Sequence, residues 1–445
     1  MIKIHDNYYC PFYEYLYLFV MVVYMAQMTP DTARMVGTLS GNSVPFLIPI
    51  VMTIVLLFRH PVSFAHRRLW LFSSIMLCWS IAVCYKFHDF SNSNLSYYFF
   101  LFYAIFIAYI HIRVYGCDLF PIYEHIMVVF SLISLALWGI YILIPFTSDF
   151  FQSFPETLDG NNVLYLFHWL DPLKAPIESV FRNSGCSWEP GRFAIMLIPA
   201  ILINLSRKGV SFHNNKNIII LLLALASTMS TTGYSIAILL YAIYWFEKFT
   251  VKKSIYFAVL ILPLFWYLFT LDFMTEKIQD RADFKGLTNQ SLAEYVYHAE
   301  KSGDETLGAL DRFESAYFDW LNFLEDPLLG YGRNGDHSWF RQEITRNFEL
   351  TGGLVKTFSQ FGAFIGLLLY VILFFSSIKI SKTFVHQRKL ALALALLLCS
   401  ISYPVFTVPI FTVFWLYGLF YYKEDNHRKR ILIGVINSDD RVCFQ

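Results

Sequence analysis

Twelve apolar stretches, most of them near the roughly 20 residues a helix needs to cross a bilayer, recur along this 445-residue chain. Their limits are 12–28, 44–58, 69–85, 95–112, 122–146, 191–205, 218–229, 234–246, 254–271, 352–378, 390–403 and 410–422, the seventh, eighth and twelfth being short. Hydrophobic residues make up 56% of the chain and charged residues 15%, against roughly 25% charged in an ordinary soluble domain. One or two soluble domains could not bury that much apolar surface, so lipid is the expected solvent and a soluble enzyme is excluded. The 34 Lys and Arg balance 33 Asp and Glu, for a net charge of +1 without basic runs, which excludes a nucleic-acid binder. With 45 Phe and 29 Tyr the chain is not of the disordered class. The expected fold class is an all-α polytopic membrane protein of about twelve transmembrane helices.

Basic residues orient such a bundle, because short cytoplasmic connections collect Lys and Arg. Arg59, Arg67, Arg68, Arg113, Arg207, Lys208, Lys216, Lys379, Lys382, Arg388 and Lys389 fall on one side together with both termini, and the short loops opposite offer only Arg34 and Lys86. Both termini are therefore expected on the cytoplasmic side of the membrane. The domain plan is then 1–146 for helices one to five, 147–190 for a first large loop on the outer face, 191–271 for helices six to nine, 272–351 for a second large outer loop, 352–422 for helices ten to twelve, and 423–445 for a cytoplasmic tail. The N-terminal stretch lacks a small-residue cleavage site and reads as a retained anchor. The seven cysteines are scattered, and only Cys186 falls on the oxidising side, so a disulfide framework is not expected.

Function in such proteins concentrates in the long loops. The second loop is acidic, with 16 carboxylates against 8 Lys or Arg between residues 272 and 350, so each of its arginines needs its own reason. Residues 311–324 read as an amphipathic helix whose stripe is Phe313, Ala316, Tyr317, Trp320, Leu321 and Leu324, with Arg312, Glu314 and Asp319 off the stripe. Glu325, Asp326 and Pro327 stop it. Gly330, Tyr331 and Gly332 form a turn, the polar cluster Arg333, Asn334, Asp336 and His337 follows, and residues 339–350 read as a second helical stretch. In the first loop Pro190 suits a first helical turn. That puts Glu189 at a helix N-terminus, where the dipole favours a carboxylate, with Arg192 in the same turn.

The run Arg182-Asn183-Ser184-Gly185-Cys186-Ser187-Trp188-Glu189-Pro190-Gly191-Arg192-Phe193-Ala194 resembles the signature of bacterial O-antigen polymerases, within the O-antigen polymerase/ligase superfamily. Three further pieces follow in that family's order: the polar run Ser227-Thr228-Met229-Ser230-Thr231-Thr232-Gly233-Tyr234, Arg312 followed by Pro327-Leu328-Leu329-Gly330-Tyr331-Gly332, and His337-Ser338 ahead of Gly352-Gly353. Arg341 and Gly352 also match an Arg-to-Gly spacing described for such loops, which Arg182 does not.

The resemblance implies an inverting GT-C-type glycosyltransferase of lipopolysaccharide or related polysaccharide biosynthesis. Its donor and acceptor would be undecaprenyl-diphosphate-linked oligosaccharides, without a cofactor, and a chain-length regulator is an implied partner. A departing diphosphate needs its charge stabilised by a metal or by arginines. The nearest approach to an Asp-x-Asp pair is Asp280 and Asp283, better read as a solvated turn, so metal-free arginine catalysis is expected. Arg182 and Arg312 come first for gripping the diphosphate, then Arg192, Arg341 and Arg333; the plainer reading of each is an ion pair with the surplus carboxylates. The attacking sugar hydroxyl needs a base. His337 supplies an imidazole for this role and Glu189 competes, the plainer readings being a turn residue and a helix cap. Trp188, Tyr331 and Trp339 suit stacking on sugars, and equally interfacial anchoring. Hydroxyls of 227–232 suit bonds between helices, and His111, His125 and His386 read as interfacial residues at the cytoplasmic ends. The alternative functions are an O-antigen ligase, which would use the lipid A core as acceptor, and a lipid-linked oligosaccharide flippase. Transport is disfavoured by spans nearly free of charge at their centres.

Overall fold

The computed structural model describes residues 2–5, 8–27, 44–144, 162–164, 168–170, 182–187, 189–213, 215–245, 312–332, 337–340, 342, 350, 353–403 and 405–422. Most of these are helical, as expected of apolar segments whose backbone must satisfy its own hydrogen bonds in lipid. The helices are α1 (Phe12–Gln27), α2 (Val44–Arg59), α3 (Arg67–Phe87), α4 (Asn92–Tyr115), α5 (Leu119–Leu143), α6 (Pro190–Lys208), α7 (Lys216–Ser227), α8 (Thr231–Trp245), α9 (Arg312–Glu325), α10 (Leu354–Ser381), α11 (Ala391–Ser402) and α12 (Pro409–Phe420). Eleven of the twelve apolar stretches are thus helical, with ends close to those read from sequence; the stretch 254–271 lies outside the described residues. By length and composition α3, the continuous run Asn94–Leu143 and α10 can each cross a membrane, and the chain is a membrane-embedded protein.

Two short hairpins accompany the helices. Ile2–His5 (β1) pairs with Tyr8–Cys10 (β2), and Asn162–Leu164 (β3) pairs with His168–Leu170 (β4), each as an antiparallel two-stranded hairpin. Both are short polar-flanked segments without the length for a period-2 signal, which is why the apolar count passed over them.

Local chemistry sets the helix ends. Pro190 and Pro409 occupy the first turns of α6 and α12, where a missing N–H costs nothing. The Ser91 hydroxyl caps α4 through Asn94 N–H. His88 closes α3 in the left-handed conformation, its N–H turned to the Cys84 and Tyr85 carbonyls.

α12 lies at the centre of one continuous core, with Trp415, Tyr417, Leu416 and Phe420 fully covered by neighbours that include α3, α4 and α10. Away from it, buried polar bonds tie helices together. Glu124 on α5 pairs with Arg207 on α6 at 2.6 Å and accepts from Asn204 Nδ2 at 2.7 Å, and Asn215 before α7 donates to Asn204 at 2.9 Å. His111 is not interfacial. It is buried on α4, bonded to Tyr17 of α1 at 2.8 Å, which in turn bonds Thr53 of α2.

Candidate functional site

The turn that follows α9 is inserted into the side of α10. Gly362 breaks α10 with φ 71° and ψ 174°, a conformation essentially confined to glycine. The break frees backbone groups, and the turn takes them: Tyr331 N–H donates to Ser359 O at 2.9 Å, Gly332 N–H to Gln360 O at 2.9 Å, and Ala363 N–H to Pro327 O at 2.7 Å. Gly330, at φ 67°, has no room for a side chain, because a Cβ there would sit 2.6 Å from Gly362 N and Ser359 O. On the far side Trp79 Nε1 of α3 donates to Leu329 O at 2.9 Å, and Gln360 Nε2 donates to the Tyr97 hydroxyl of α4 at 2.6 Å.

This insertion carries Tyr331 and His337 to the end of α3. Phe87 lies between their rings, 5.4 Å from Tyr331 and 5.2 Å from His337, with interplanar angles of 26° and 13°. His337 Nε2 stands 3.9 Å from Asp89 Oδ2 in the α3–α4 turn, and Lys86 pairs with Asp326 at 2.5 Å. Asn322 Oδ1 of α9 accepts from Phe340 N–H at 3.0 Å, and Phe318 packs on Phe340, which fixes the turn bearing His337 from below. Tyr331 is buried, so it is not the open sugar platform its sequence position suggests: one face is spent on Phe87. Burial, with Asp326 and Glu325 nearby, pushes its phenol up to about 12 and keeps it a neutral donor.

The sequence reading of α9 gave an apolar stripe without a direction, and the structure turns part of it outward. Tyr317, Trp320 and Leu324 of that stripe are exposed, while Ser315, Phe318, Asp319 and Asn322 are buried. An apolar stripe seeks lipid as readily as a protein core, so the helical period identified the axis and not the direction. Asp319 is 2% exposed, and its Oδ2 has no hydrogen-bond partner among the described residues. Burial pushes this carboxyl up to about 6, opposed by the Lys356 charge and a Ser359 hydroxyl bond.

The first-loop residues gather around the α7–α8 turn at the same end of the bundle. Arg182 donates from Nε to Thr228 O at 3.0 Å and from Nη2 to Met229 O at 3.2 Å, complementing the carbonyl end of α7. Asn183 reaches Ser227 Oγ at 2.8 Å and Ser134 Oγ of α5 at 3.2 Å, both buried. Glu189 is the half-buried N-cap residue of α6, but its side chain makes no capping bond, and Arg192 is buried in the first turn. Thr232 bonds Ser402 of α11 at 2.9 Å, and Gly353 lies against the Ser400 and Tyr403 carbonyls, which links this group to the start of α10. Of the 227–232 hydroxyls Thr232 bonds another helix, as expected, whereas Thr228 donates to Leu225 O within α7 and Ser230 accepts from Gly233 N–H.

His337 and Tyr331 come together, as do Arg182, Glu189 and Arg192 around the starts of α6 and α8. Arg312 begins α9, and its side chain lies outside the described residues, as do Trp188, Arg333, Arg341, Asp280 and Asp283. Asp89, Lys86, Asp319 and Lys356 were missed by sequence reasoning. The isolated Lys86–Asp89 charge cluster at the end of an apolar stretch was a signal for the first two; for Asp319 the helical period said only that it lies off the apolar stripe. Comparison of the chain with protein-family models, with curated proteins and with solved structures finds no match.

Proposed function

We propose that this protein is a membrane-embedded glycosyltransferase of about twelve spans and GT-C type. In this reading it joins undecaprenyl-diphosphate-linked oligosaccharide repeat units into a surface polysaccharide such as O antigen, at the periplasmic face of a bacterial inner membrane, with both termini cytoplasmic. The observation that carries the reading is the His337–Asp89 pair, stacked on Phe87 at the bundle end that also holds Arg182, Glu189 and Arg192. The four sequence pieces with their family resemblance supply the substrate class.

An inverting transfer forms a bond from the acceptor hydroxyl oxygen to the donor's anomeric carbon as the bond to the diphosphate breaks. The hydroxyl proton needs a base, and His337 is the choice over Glu189 because a carboxylate faces its ring. With Nε2–H turned toward Asp89, Nδ1 holds the lone pair that takes the proton, and Asp89 stabilises the imidazolium that forms. The leaving diphosphate is a site for guanidinium donors, bidentate and permanently charged. Arg182 is held in orientation by the α7–α8 turn, and Arg192 and Arg312 are the further donors in this scheme.

The test is purified protein with defined diphosphate-lipid repeat units, with and without lipid A core. Chains growing on the lipid carrier alone support the polymerase; product only on added core replaces it with the ligase; translocation without bond formation leaves a flippase. His337→Ala is expected to lower turnover about 100-fold or more, and Asp89→Asn about tenfold. Wild-type rate in His337→Ala removes the proposed base, and turnover abolished by EDTA and restored by a divalent cation removes the metal-free scheme.

A further inference from the structure

Three helices measure how far the 327–332 turn reaches into the bundle. Leu329 is held by Trp79, eight residues before the end of α3, which is about 12 Å along a helix axis. Gly332 packs on the Tyr98 hydroxyl, six residues inside α4, or about 9 Å. The break at Gly362 lies eight residues inside α10, again about 12 Å. Irregular backbone at hydrocarbon depth persists only where protein supplies its hydrogen bonds. Here Asp326, Ser359 and Gln360 carbonyls take the Gly330, Tyr331 and Gly332 N–H groups, and Pro327 O takes that of Ala363.

Glu325 apart, the outward side of this element is apolar. Trp320 is 47% exposed, Leu324 54% and Leu328 60%, while the opposite face buries Ser315, Asp319, Asn322 and Asp326. A helix in water turns these faces the other way. Just past the Pro327–Ala363 bond, Phe364, Leu367 and Val371 are exposed on one side of α10, a membrane-spanning helix by length and composition. The apolar surface of α9 and its turn therefore continues the lipid-facing surface of α10.

We infer that α9 and the 327–332 turn form a re-entrant element seated in the leaflet on the site's side of the membrane, with Trp320, Leu324 and Leu328 against lipid acyl chains. This assignment does not depend on which reaction the protein performs. Full-length protein is reconstituted in phosphatidylcholine vesicles brominated at defined acyl positions, and tryptophan quenching is compared between wild type and Trp320→Phe. The Trp320 contribution is expected to be quenched by bromine near the glycerol end of the chain and shielded from aqueous iodide. Adding Leu328→Trp to Trp320→Phe is expected to move the best quencher to a deeper bromine position. Both changes fall on exposed side chains and leave the core intact. Quenching of Trp320 by iodide and not by brominated lipid overturns the proposal, as does a Leu328→Trp signal no deeper than that of Trp320.

Discussion

At the scale of single residues, Asp319 gives the protein a pH dependence whose sign follows from its burial. Its carboxyl sits at about 6 in the folded protein and near 3.9 in an unfolded chain. Between those values the folded state keeps a proton that the unfolded state has released. The stability this group contributes is therefore complete below about pH 4 and is lost as pH rises through about 6. Asp319→Asn retains an acceptor for the Ser359 hydroxyl without a buried charge. The variant is expected to exceed the parent at pH 7.5 by on the order of 2 kcal/mol and to equal it near pH 4. Thermal unfolding in detergent at the two values checks this, and a gap that does not change with pH refutes it. Asp319 illustrates what one-dimensional reading misses. Motif order singled out His337, Arg182 and Glu189, whereas Asp89 gains meaning only from His337 and Asp319 only from α10, both far away in sequence.

For elements, the ends of α1 to α8 and α10 to α12 were legible because an apolar run bounded by charge, Pro or Gly specifies a lipid-embedded helix almost by itself. Their depth was not. α7 and α11 have 12 residues each, about 18 Å of rise against a hydrocarbon core of about 30 Å, so each is short of a full crossing. Nor does periodicity reveal that α10 opens at Gly362 to admit a turn from earlier in the chain; a glycine inside an apolar run looks the same whether it bends the helix or packs it. Gly330→Ala tests the fit of that turn. A methyl group there meets backbone atoms on α10 that cannot swing aside, and the positive φ adds strain. The variant is expected to lose about 2 kcal/mol or more, read as a lower unfolding temperature and faster proteolysis within 327–342. Unchanged behaviour would mean that the turn is not wedged as described.

For the whole molecule, the compartment assignment is open to direct labelling. Gln342 and Asn92 are exposed at the end of the bundle that carries His337, and His213 is exposed beyond α6 at the other. Cysteine at Gln342 or Asn92 is expected to react with an impermeant maleimide added to intact cells with a permeabilised outer membrane, and cysteine at His213 only after lysis. The opposite pattern reverses the orientation. Withdrawing the 327–332 turn would strand peptide groups on both sides of the α10 break, so the proposed glycosyltransferase would hold this floor beneath His337 already assembled before its lipid-linked substrate arrives.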